Sequence, residues 1–300
     1  MRLYVVGGKG QIARSLREAA ALDKSIIYCY GARPDVDLLR PSSIEQALAA
    51  FRPDVVINPA AYTAVDRAES EPDQAFALNR DGARAVAAAA ANQGAPIIHL
   101  STDYVFDGKK HGPYSENDPV APQGVYGRSK LEGELAVAEA NPKHIVLRTS
   151  WVYAPFGGNF VRTMLRLTAE RDRLGVVNDQ LGCPTYAPDI ARAIISVART
   201  LTDFGWNPKL AGVTHIAGPD DLTWYGFARE IVRGAAERGG RSVPIDPILT
   251  SDYPTPAMRP ANSRLSTARL QTVFEISLPR MRNSLADCLD RLLTIDRGAS

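Results

Sequence analysis

The chain has 300 residues, of which 45% are hydrophobic and 23% are charged. This length accommodates one large α/β unit, or such a unit with a second, smaller lobe. The 35 basic and 33 acidic residues leave a formal charge of +2, and Lys and Arg form no dense run. Nucleic acid is therefore not an expected partner.

Apolar segments and cysteines define the expected environment. The sequence has no run of about 18 apolar residues, so no membrane partner is expected. The chain starts with a short strand pattern and a glycine turn instead of a signal peptide. Cys29, Cys183 and Cys288 are too few and too widely spaced for a disulfide framework. These features predict a soluble, cytoplasmic protein.

Strand and helix patterns alternate through the first half of the chain. Short β-branched runs predict strands at 3–6, 26–30, 55–58, 97–101 and 145–149. Between them we predict helices, including one that a Ser42/Glu45 capping box opens and one that ends near Gly94. This βαβ alternation predicts an α/β fold with a doubly wound parallel sheet of the Rossmann type.

After about residue 150 the pattern loosens into longer loops with Gly and Pro, which predicts a smaller substrate lobe. A helix over 189–200 and a strand over 213–216 are expected to return to the sheet. The expected division is a dinucleotide-binding domain over 1–150, completed by about 186–217. A discontinuous C-terminal substrate-binding lobe would then comprise 151–185 and 218–300.

The first chemical signal is a glycine turn between a predicted strand and a predicted helix, containing Gly7 and Gly10. Glycines allow a pyrophosphate to approach the backbone, and a helix start offers free N–H groups. The spacing is one residue away from the usual dehydrogenase pattern. A dinucleotide is therefore the favoured ligand, and a tight turn without ligand is the alternative.

The end of the second predicted strand lacks the acidic residue that normally binds the adenosine ribose. Arg33 follows instead, and its guanidinium can pair with a 2′-phosphate, which favours NADPH and leaves NADH open. A solvated loop arginine is an equally weighted alternative.

The second chemical signal is the pair Tyr126 and Lys130. Residues four apart share one helix face, and a nearby ammonium is expected to lower the pKa of the phenol toward the range of a general acid. Thr102 ends a predicted strand upstream, where its hydroxyl would lie beside a substrate carbonyl. A solvated surface pair is the alternative for Tyr126 and Lys130 taken alone.

Together these features resemble the extended short-chain dehydrogenase/reductase superfamily. Longer stretches narrow the resemblance to the dTDP-4-dehydrorhamnose reductase family, and they lie at 52–66, 101–106, 148–153, 178–185 and 259–265. The resemblance covers essentially the whole chain, and the motifs of the second lobe are the specific ones.

The resemblance implies a role for each matching position. Cofactor contacts are implied for Gly10, Gln11, Ile12, Asp37, Leu38, Ala61, Tyr62, Thr63, Tyr126 and Lys130. The implied catalytic set is Thr102, Tyr126 and Lys130. Substrate contacts are implied for Thr102, Asp103, Tyr126, Trp151, Asn178, Gln180, Arg259 and Asn262. Core packing of Trp151 and a loop cap at Asp103 are the alternatives.

The resemblance also implies a reaction. NAD(P)H would deliver a hydride to C4 of dTDP-4-dehydro-6-deoxy-L-mannose, giving dTDP-L-rhamnose, while Tyr126 protonates the oxygen. Two alternatives stay open. One is a non-catalytic NADP-binding regulator like the β subunit of methionine adenosyltransferase, and the other is a sister epimerase or dehydratase.

Some members of the dTDP-4-dehydrorhamnose reductase family, which this sequence resembles, bind magnesium between subunits through carboxylates. The matching positions of this chain hold Ser15 and Pro188, and Asp189 alone is a weak site for a hard cation. We therefore expect no metal, and both a monomer and a homodimer stay open. The four histidines lack ligand spacing, and none is expected to be catalytic.

Overall fold

The computed structural model describes residues 1–297. Its strands are β1 (Arg2–Val6), β2 (Ile27–Gly31), β3 (Val55–Asn58), β4 (Ile97–Thr102), β5 (His144–Thr149), β6 (Val152–Tyr153), β7 (Leu174–Val177), β8 (Leu181–Gly182), β9 (Thr185–Tyr186), β10 (Gly212–His215), β11 (Leu222–Thr223) and β12 (Ile245–Ile248).

The α-helices are α1 (Gln11–Ala21), α2 (Pro41–Phe51), α3 (Val65–Ala68), α4 (Pro72–Phe76), α5 (Ala83–Asn92), α6 (Val125–Ala140), α7 (Phe160–Glu170), α8 (Ala187–Asp203), α9 (Trp224–Ala236), α10 (Ala268–Phe274) and α11 (Met281–Arg297). A π-helical turn (Ala77–Gly82) joins α4 to α5, and short 3₁₀ helices span Asp103–Val105, Pro208–Leu210 and Thr250–Asp252.

The central sheet has six parallel strands in the order β2-β1-β3-β4-β5-β10. Every residue of β3 and β4 is buried, because helices cover both faces of the sheet. The strand order reverses between β1 and β3, and ligand crevices of such sheets lie beyond the carboxyl ends of the strands at that point. The predicted doubly wound parallel sheet is confirmed.

Two apolar layers enclose the sheet. The first is built mainly from α1 and α8, with the inner residues Leu16, Ile190 and Ile194 fully or almost fully buried. The second lies under α2 and α5, where Ile44 and Leu48 are fully buried. Strand β10, close to the predicted position at 213–216, pairs with β5 and extends the sheet.

The start of α2 differs from its prediction. Pro41 occupies the first turn and Arg40 is the N-cap, without a side-chain cap hydrogen bond, so the predicted Ser42/Glu45 capping box is wrong. The hydroxyl of Ser43 instead donates to the Arg40 carbonyl at 2.7 Å. Helix α5 ends two residues before Gly94, whose φ of 69° suits the turn that follows.

The second half of the chain builds a separate apolar cluster. Helices α7, α9 and α11 pack around Tyr153, Val161, Phe227 and Leu289. Three small pairings frame this cluster, namely β6 with β9, β7 with β12, and β8 with β11. A cleft therefore opens between the carboxyl edge of the central sheet and this cluster. Within the described residues, no helix combines the length and apolarity needed to cross a membrane.

Candidate active site

The glycine turn between β1 and α1 leaves backbone accessible to a ligand. Gly7 has a φ of 96°, a conformation that favours glycine, and its N–H donates to the Gly31 carbonyl at 2.6 Å. A Cβ added to Gly10, the N-cap of α1, would meet no atom within 4 Å. Gln11 and Ile12 form the first turn of α1. The open turn and the free N–H groups at this helix start fit a pyrophosphate.

A cationic cavity of about 1210 Å³ lies beyond the carboxyl end of β2. Arg33 lines it, as does Lys9 of the glycine turn, together with Arg14 and Arg17 from α1. The sequence interpretation named only Arg33, because the other three cations join it only through the approach of α1 to the end of β2. Guanidinium groups match phosphate oxygens, so this cavity fits the phosphate-bearing adenosine end of NADPH.

Asp37 and Leu38, implied as adenine contacts, do not line this cavity. The N–H of Asp37 donates to Ser43 Oγ at 3.0 Å, and Leu38 packs against the apolar layer under α2 and α5. A contact between either residue and the adenine stays a prediction.

The loop after β3 carries the residues implied for the middle of the cofactor, which are Ala61, Tyr62 and Thr63. Asn79 of the π-helical turn accepts from the Tyr62 N–H at 2.8 Å and donates to the Tyr62 carbonyl at 3.1 Å. The same amide donates to Ser129 Oγ on α6 at 2.9 Å. Asn79 therefore fixes the loop relative to the helix that carries Tyr126 and Lys130.

Thr102 and Tyr126 meet at the carboxyl end of β4. The phenol of Tyr126 hydrogen-bonds to Thr102, and the Thr102 hydroxyl donates to Asp103 Oδ1 at 3.0 Å. Burial raises the pKa of Tyr126 to about 12, an effect that this hydrogen bond opposes and the charge of Asp103 strengthens. The predicted lowering of this pKa by Lys130 is therefore wrong. A phenol that keeps its proton at neutral pH suits a proton donor.

Lys130 lies one helical turn after Tyr126 and is almost completely buried. Its Nζ donates to the carbonyl oxygen of Leu100 on β4 at 2.6 Å. Burial lowers the pKa of Lys130 to about 8, and nearby Glu134 opposes this shift. The ammonium is thus held against β4 by the protein itself.

His99 is a neighbour of this set that the sequence interpretation missed. It is fully buried, and its Nε2 lies 3.5 Å from Lys130 Nζ while its Nδ1 lies 3.2 Å from Asn58 Nδ2. Burial lowers the pKa of His99 well below its usual range, and the charge of Lys130 adds to the effect. A neutral His99 therefore packs behind Lys130 without adding charge.

Asp103 is buried directly after β4, and burial raises the pKa of its carboxyl group to about 6. Tyr104 follows, and its ring meets the ring of Tyr126 edge to face, with centroids 5.5 Å apart. Tyr104 also lines the cleft described above, which has a volume of about 540 Å³. Tyr126 therefore packs against a wall of a cavity large enough for a small-molecule substrate.

Three residues implied as substrate contacts line this cleft, namely Trp151, Gln180 and Arg259. Asp66, to which the sequence interpretation assigned no role, lines it as well. Arg259 Nη2 donates to Asp66 Oδ2 at 2.7 Å, and Arg259 Nη1 is buried without a partner in the described part of the chain. Asp66 Oδ1 also accepts from the Ala257 N–H at 3.2 Å. Asp66 thereby ties the loop that carries Arg259 to α3.

Asn178 and Asn262, implied as substrate contacts, do not line the cleft, and a contact of either with the substrate stays a prediction. The Asn178 carbonyl oxygen Oδ1 accepts from Thr223 Oγ1 at 2.8 Å. The Asn262 amide donates to the carbonyl oxygens of Lys110 and Gly112 at 2.6 and 2.8 Å. Both side chains are committed to holding loops, which the sequence could not indicate.

Ser15 and Asp189, which lie near where some family members bind magnesium, make other contacts in this protein. The Ser15 hydroxyl donates to the Gln11 carbonyl at 2.9 Å, and Asp189 accepts from Ser284 and pairs with Arg192. Among residues 1–297, no group of three or more His, Cys, Asp or Glu side chains is placed to hold a metal ion.

An accessible glycine turn, a doubly wound sheet and a Thr–Tyr–Lys set beside a cleft define a protein of the extended short-chain dehydrogenase/reductase class. The model of the RmlD substrate binding domain family matches residues 1–294. A dTDP-4-dehydrorhamnose reductase of Sinorhizobium fredii is 50% identical over 284 residues, which are 95% of this chain and 95% of that relative. This chain belongs to the RmlD substrate binding domain family.

Solved structures agree with this assignment. The dTDP-4-dehydrorhamnose reductase of Clostridium acetobutylicum is 36% identical with a TM-score of 0.89, and the match covers 97% of this chain and 99% of that one. The Bacillus anthracis dTDP-4-dehydrorhamnose reductase, solved in complex with NADP, is 33% identical with a TM-score of 0.87, covering 95% and 97% respectively. The resemblance inferred from the sequence is confirmed.

Proposed function

We propose that the protein reduces the C4 keto group of dTDP-4-dehydro-6-deoxy-L-mannose, also called dTDP-4-dehydrorhamnose, to give dTDP-L-rhamnose in nucleotide-sugar biosynthesis. One observation carries this proposal. Tyr126, protonated and hydrogen-bonded to Thr102, lies beside the cleft. The chain's relatives are dTDP-4-dehydrorhamnose reductases.

The cofactor is NADPH, and the cationic cavity around Arg33 and Lys9 supports this choice over NADH. When bound, NADPH supplies the hydride that C4 of the ketosugar accepts. The N-terminal turn of α1 would hold the pyrophosphate, and Ala61, Tyr62 and Thr63 would contact the middle of the cofactor. Residues 1–150 with about 186–217 form the proposed dinucleotide-binding domain, and 151–185 with 218–300 form the substrate-binding lobe.

The protein's own groups manage the proton. Tyr126 donates its phenolic proton to the oxygen on C4 as negative charge develops there. Thr102 hydrogen-bonds the same oxygen and so stabilises charge that is largest in the transition state. The ammonium of Lys130 would hold the ribose next to the nicotinamide.

Substrate recognition is assigned to residues that line the cleft and to Asp103, which is buried directly after β4. Asp103 and Gln180 would accept or donate hydrogen bonds to sugar hydroxyls, and Trp151 would contact apolar C–H groups of the sugar. Arg259 would pair with the diphosphate through its unpartnered Nη1.

The test is the oxidation of NADPH, followed by its absorbance, with the dTDP-ketosugar as second substrate. Tyr126→Phe should lower kcat by about 10²–10⁴, the range for loss of a general acid. Tyr225→Phe, a matched change outside the catalytic set, should retain the parent rate. Parent-like turnover by Tyr126→Phe would refute the assignment of the proton donor.

The same assay separates the alternatives. Tight NADPH binding without oxidation would indicate a regulatory NADP-binding subunit. Conversion of the sugar without net NADPH consumption would indicate a sister epimerase or dehydratase.

We also propose a cytoplasmic location, which the three free cysteines support. Cell fractionation tests this location. Light scattering of the purified protein distinguishes a monomer from a homodimer, the two states that the sequence leaves open.

A further inference from the structure

We propose that Trp224 is a positioning residue that fixes the indole of Trp151 where it contacts the sugar of the substrate. This inference rests on the proposed function, because it assigns a use to one wall of the same cleft. The two indoles stack with ring centroids 3.4 Å apart and planes inclined by 8°. Both rings also line the cleft.

Trp151 occupies a backbone conformation that bulky residues rarely adopt. Its φ is 46°, in the left-handed region, where a non-glycine residue needs support from its surroundings. The N–H of Thr185 donates to the Trp151 carbonyl at 3.1 Å and provides part of that support. Such strain at the wall of a cleft points to a required side-chain direction.

The position of Trp151 in the sheet explains why this direction matters. Trp151 follows the carboxyl end of β5 by two residues, and the last residue of β5, Thr149, is paired with Thr102 of β4. The indole therefore leaves the sheet beside the strand end that carries the hydroxyl contacting Tyr126. The part of the indole that lines the cleft can contact the apolar C–H groups of a deoxysugar.

Gly182 makes room for the indole. A Cβ at this position would lie 2.2 Å from Trp151 Cε2, closer than real Cβ atoms come to any neighbour. Gly182 belongs to β8, which pairs with β11 directly before Trp224. The same short pairing thus places Gly182 over one face of the indole and delivers Trp224, which stacks on the other face.

Trp224 is itself firmly held. It is the first residue of α9, whose N-cap Thr223 accepts from the Gly226 N–H at 3.0 Å and donates to Asn178 Oδ1 at 2.8 Å. The ring of Phe160 packs on the far side of the pair, with its centroid 4.6 Å from that of Trp224. Trp224 therefore holds Trp151 in place against the apolar cluster built by α7, α9 and α11.

The decisive measurement is the binding of the product, dTDP-L-rhamnose, by titration calorimetry, because it does not depend on turnover. Trp224→Leu should weaken binding about three- to tenfold, as expected for loss of one aromatic pair. Trp224→Phe should recover most of the affinity, and the affinity for NADPH should not change. Trp206→Phe, which alters the remaining tryptophan, should bind like the parent.

A double-mutant cycle separates positioning from general destabilisation. If Trp224 acts through Trp151, then Trp224→Leu should cost nothing further in a Trp151→Leu background. Stacked indoles should also give a coupled far-ultraviolet circular dichroism band. That band should disappear equally in Trp151→Phe and Trp224→Phe and persist in Trp206→Phe.

Additive losses in the cycle, or parent-like product binding by Trp224→Leu, would overturn the proposal. Absence of the coupled band from the parent protein would do the same. Failure of the proposed function would look different, since the parent protein would then leave NADPH unoxidised in the presence of the ketosugar.

Discussion

Replacing Glu134 should destabilise the protein, because the buried charge of Arg148 would lose its partner. Glu134 lies on α6, one helical turn after Lys130, and its carboxylate accepts from Arg148 Nε at 2.9 Å and from Arg148 Nη2 at 2.6 Å. The hydroxyl of Ser101 on β4 donates to the same carboxylate. The side chains of Glu134 and Arg148 are each only 4% exposed, so this ion pair joins the catalytic helix to the sheet beneath it.

The expected magnitude follows from what Glu134→Ala leaves behind. Arg148 would stay buried with its charge uncompensated, and its Nη1 already lacks a partner in the described part of the chain. Breaking a buried ion pair from one side costs about 3–5 kcal/mol of unfolding free energy. For a chain of 300 residues, whose unfolding entropy is about 0.6 kcal/mol/K, the melting temperature should fall by about 5–8 °C.

The assay is thermal and urea unfolding followed by circular dichroism, with two further variants. Glu134→Leu combined with Arg148→Met removes both charges of the pair and should be more stable than Glu134→Ala, because the buried guanidinium is removed together with its partner. Glu170→Ala breaks an exposed pair with Arg166 and should cost less than about 1 kcal/mol. A loss below about 1 kcal/mol for Glu134→Ala, or a double variant less stable than that single variant, would refute the reasoning.

Three further outcomes are expected. Arg33→Ala should raise the KM for NADPH about tenfold and leave the KM for NADH unchanged, because only NADPH carries the 2′-phosphate; equal changes for the two cofactors would contradict this. The pKa of Lys130 is about 8, so kcat should fall as the pH rises through that value and the ammonium is lost. Lys130→Arg stays charged and should lack this alkaline decrease in a kcat–pH profile, whatever its absolute rate. Asp66→Asn should raise the KM for the nucleotide sugar about three- to tenfold in steady-state kinetics, with little change in melting temperature, since it frees Arg259 from a partly exposed pair.

The central strands could be predicted closely from the sequence. β3 occupies the predicted residues 55–58, and β4 runs one residue beyond the predicted 97–101. Both open with β-branched apolar residues and are buried along their whole length, so local composition indicates them. The start of α2 was missed because Ser43 bonds to the Arg40 carbonyl, a choice that depends on how the preceding turn folds.

The proposed catalytic set could be named from local spacing, because Tyr126 and Lys130 share one helix. Its electrostatics could not. Burial is the largest influence on the pKa of Tyr126. The ring of Tyr104 and the end of β4, which lie against Tyr126, contribute to that burial. Spacing on a helix carries no information about that desolvation.

Residues that act across the fold were missed for a related reason. Asp66 reaches Arg259 over 193 positions of sequence, and His99 reaches Lys130 from another element. Asp66 ends a stretch already marked by family resemblance, 52–66, and that was the one available signal. The resemblance also does not reveal that the amide of Asn262 donates to the carbonyl oxygens of Lys110 and Gly112.

The contacts of β4 have a practical consequence for enzyme engineering. Leu100 holds the ammonium of Lys130 and Thr102 contacts Tyr126, so a three-residue segment of β4 aligns both groups. The opposite side of the cleft comes from α7, α9 and the loop before Arg259. Grafting those segments from other members should therefore change which sugar nucleotide is accepted while the proton-transfer apparatus keeps its alignment.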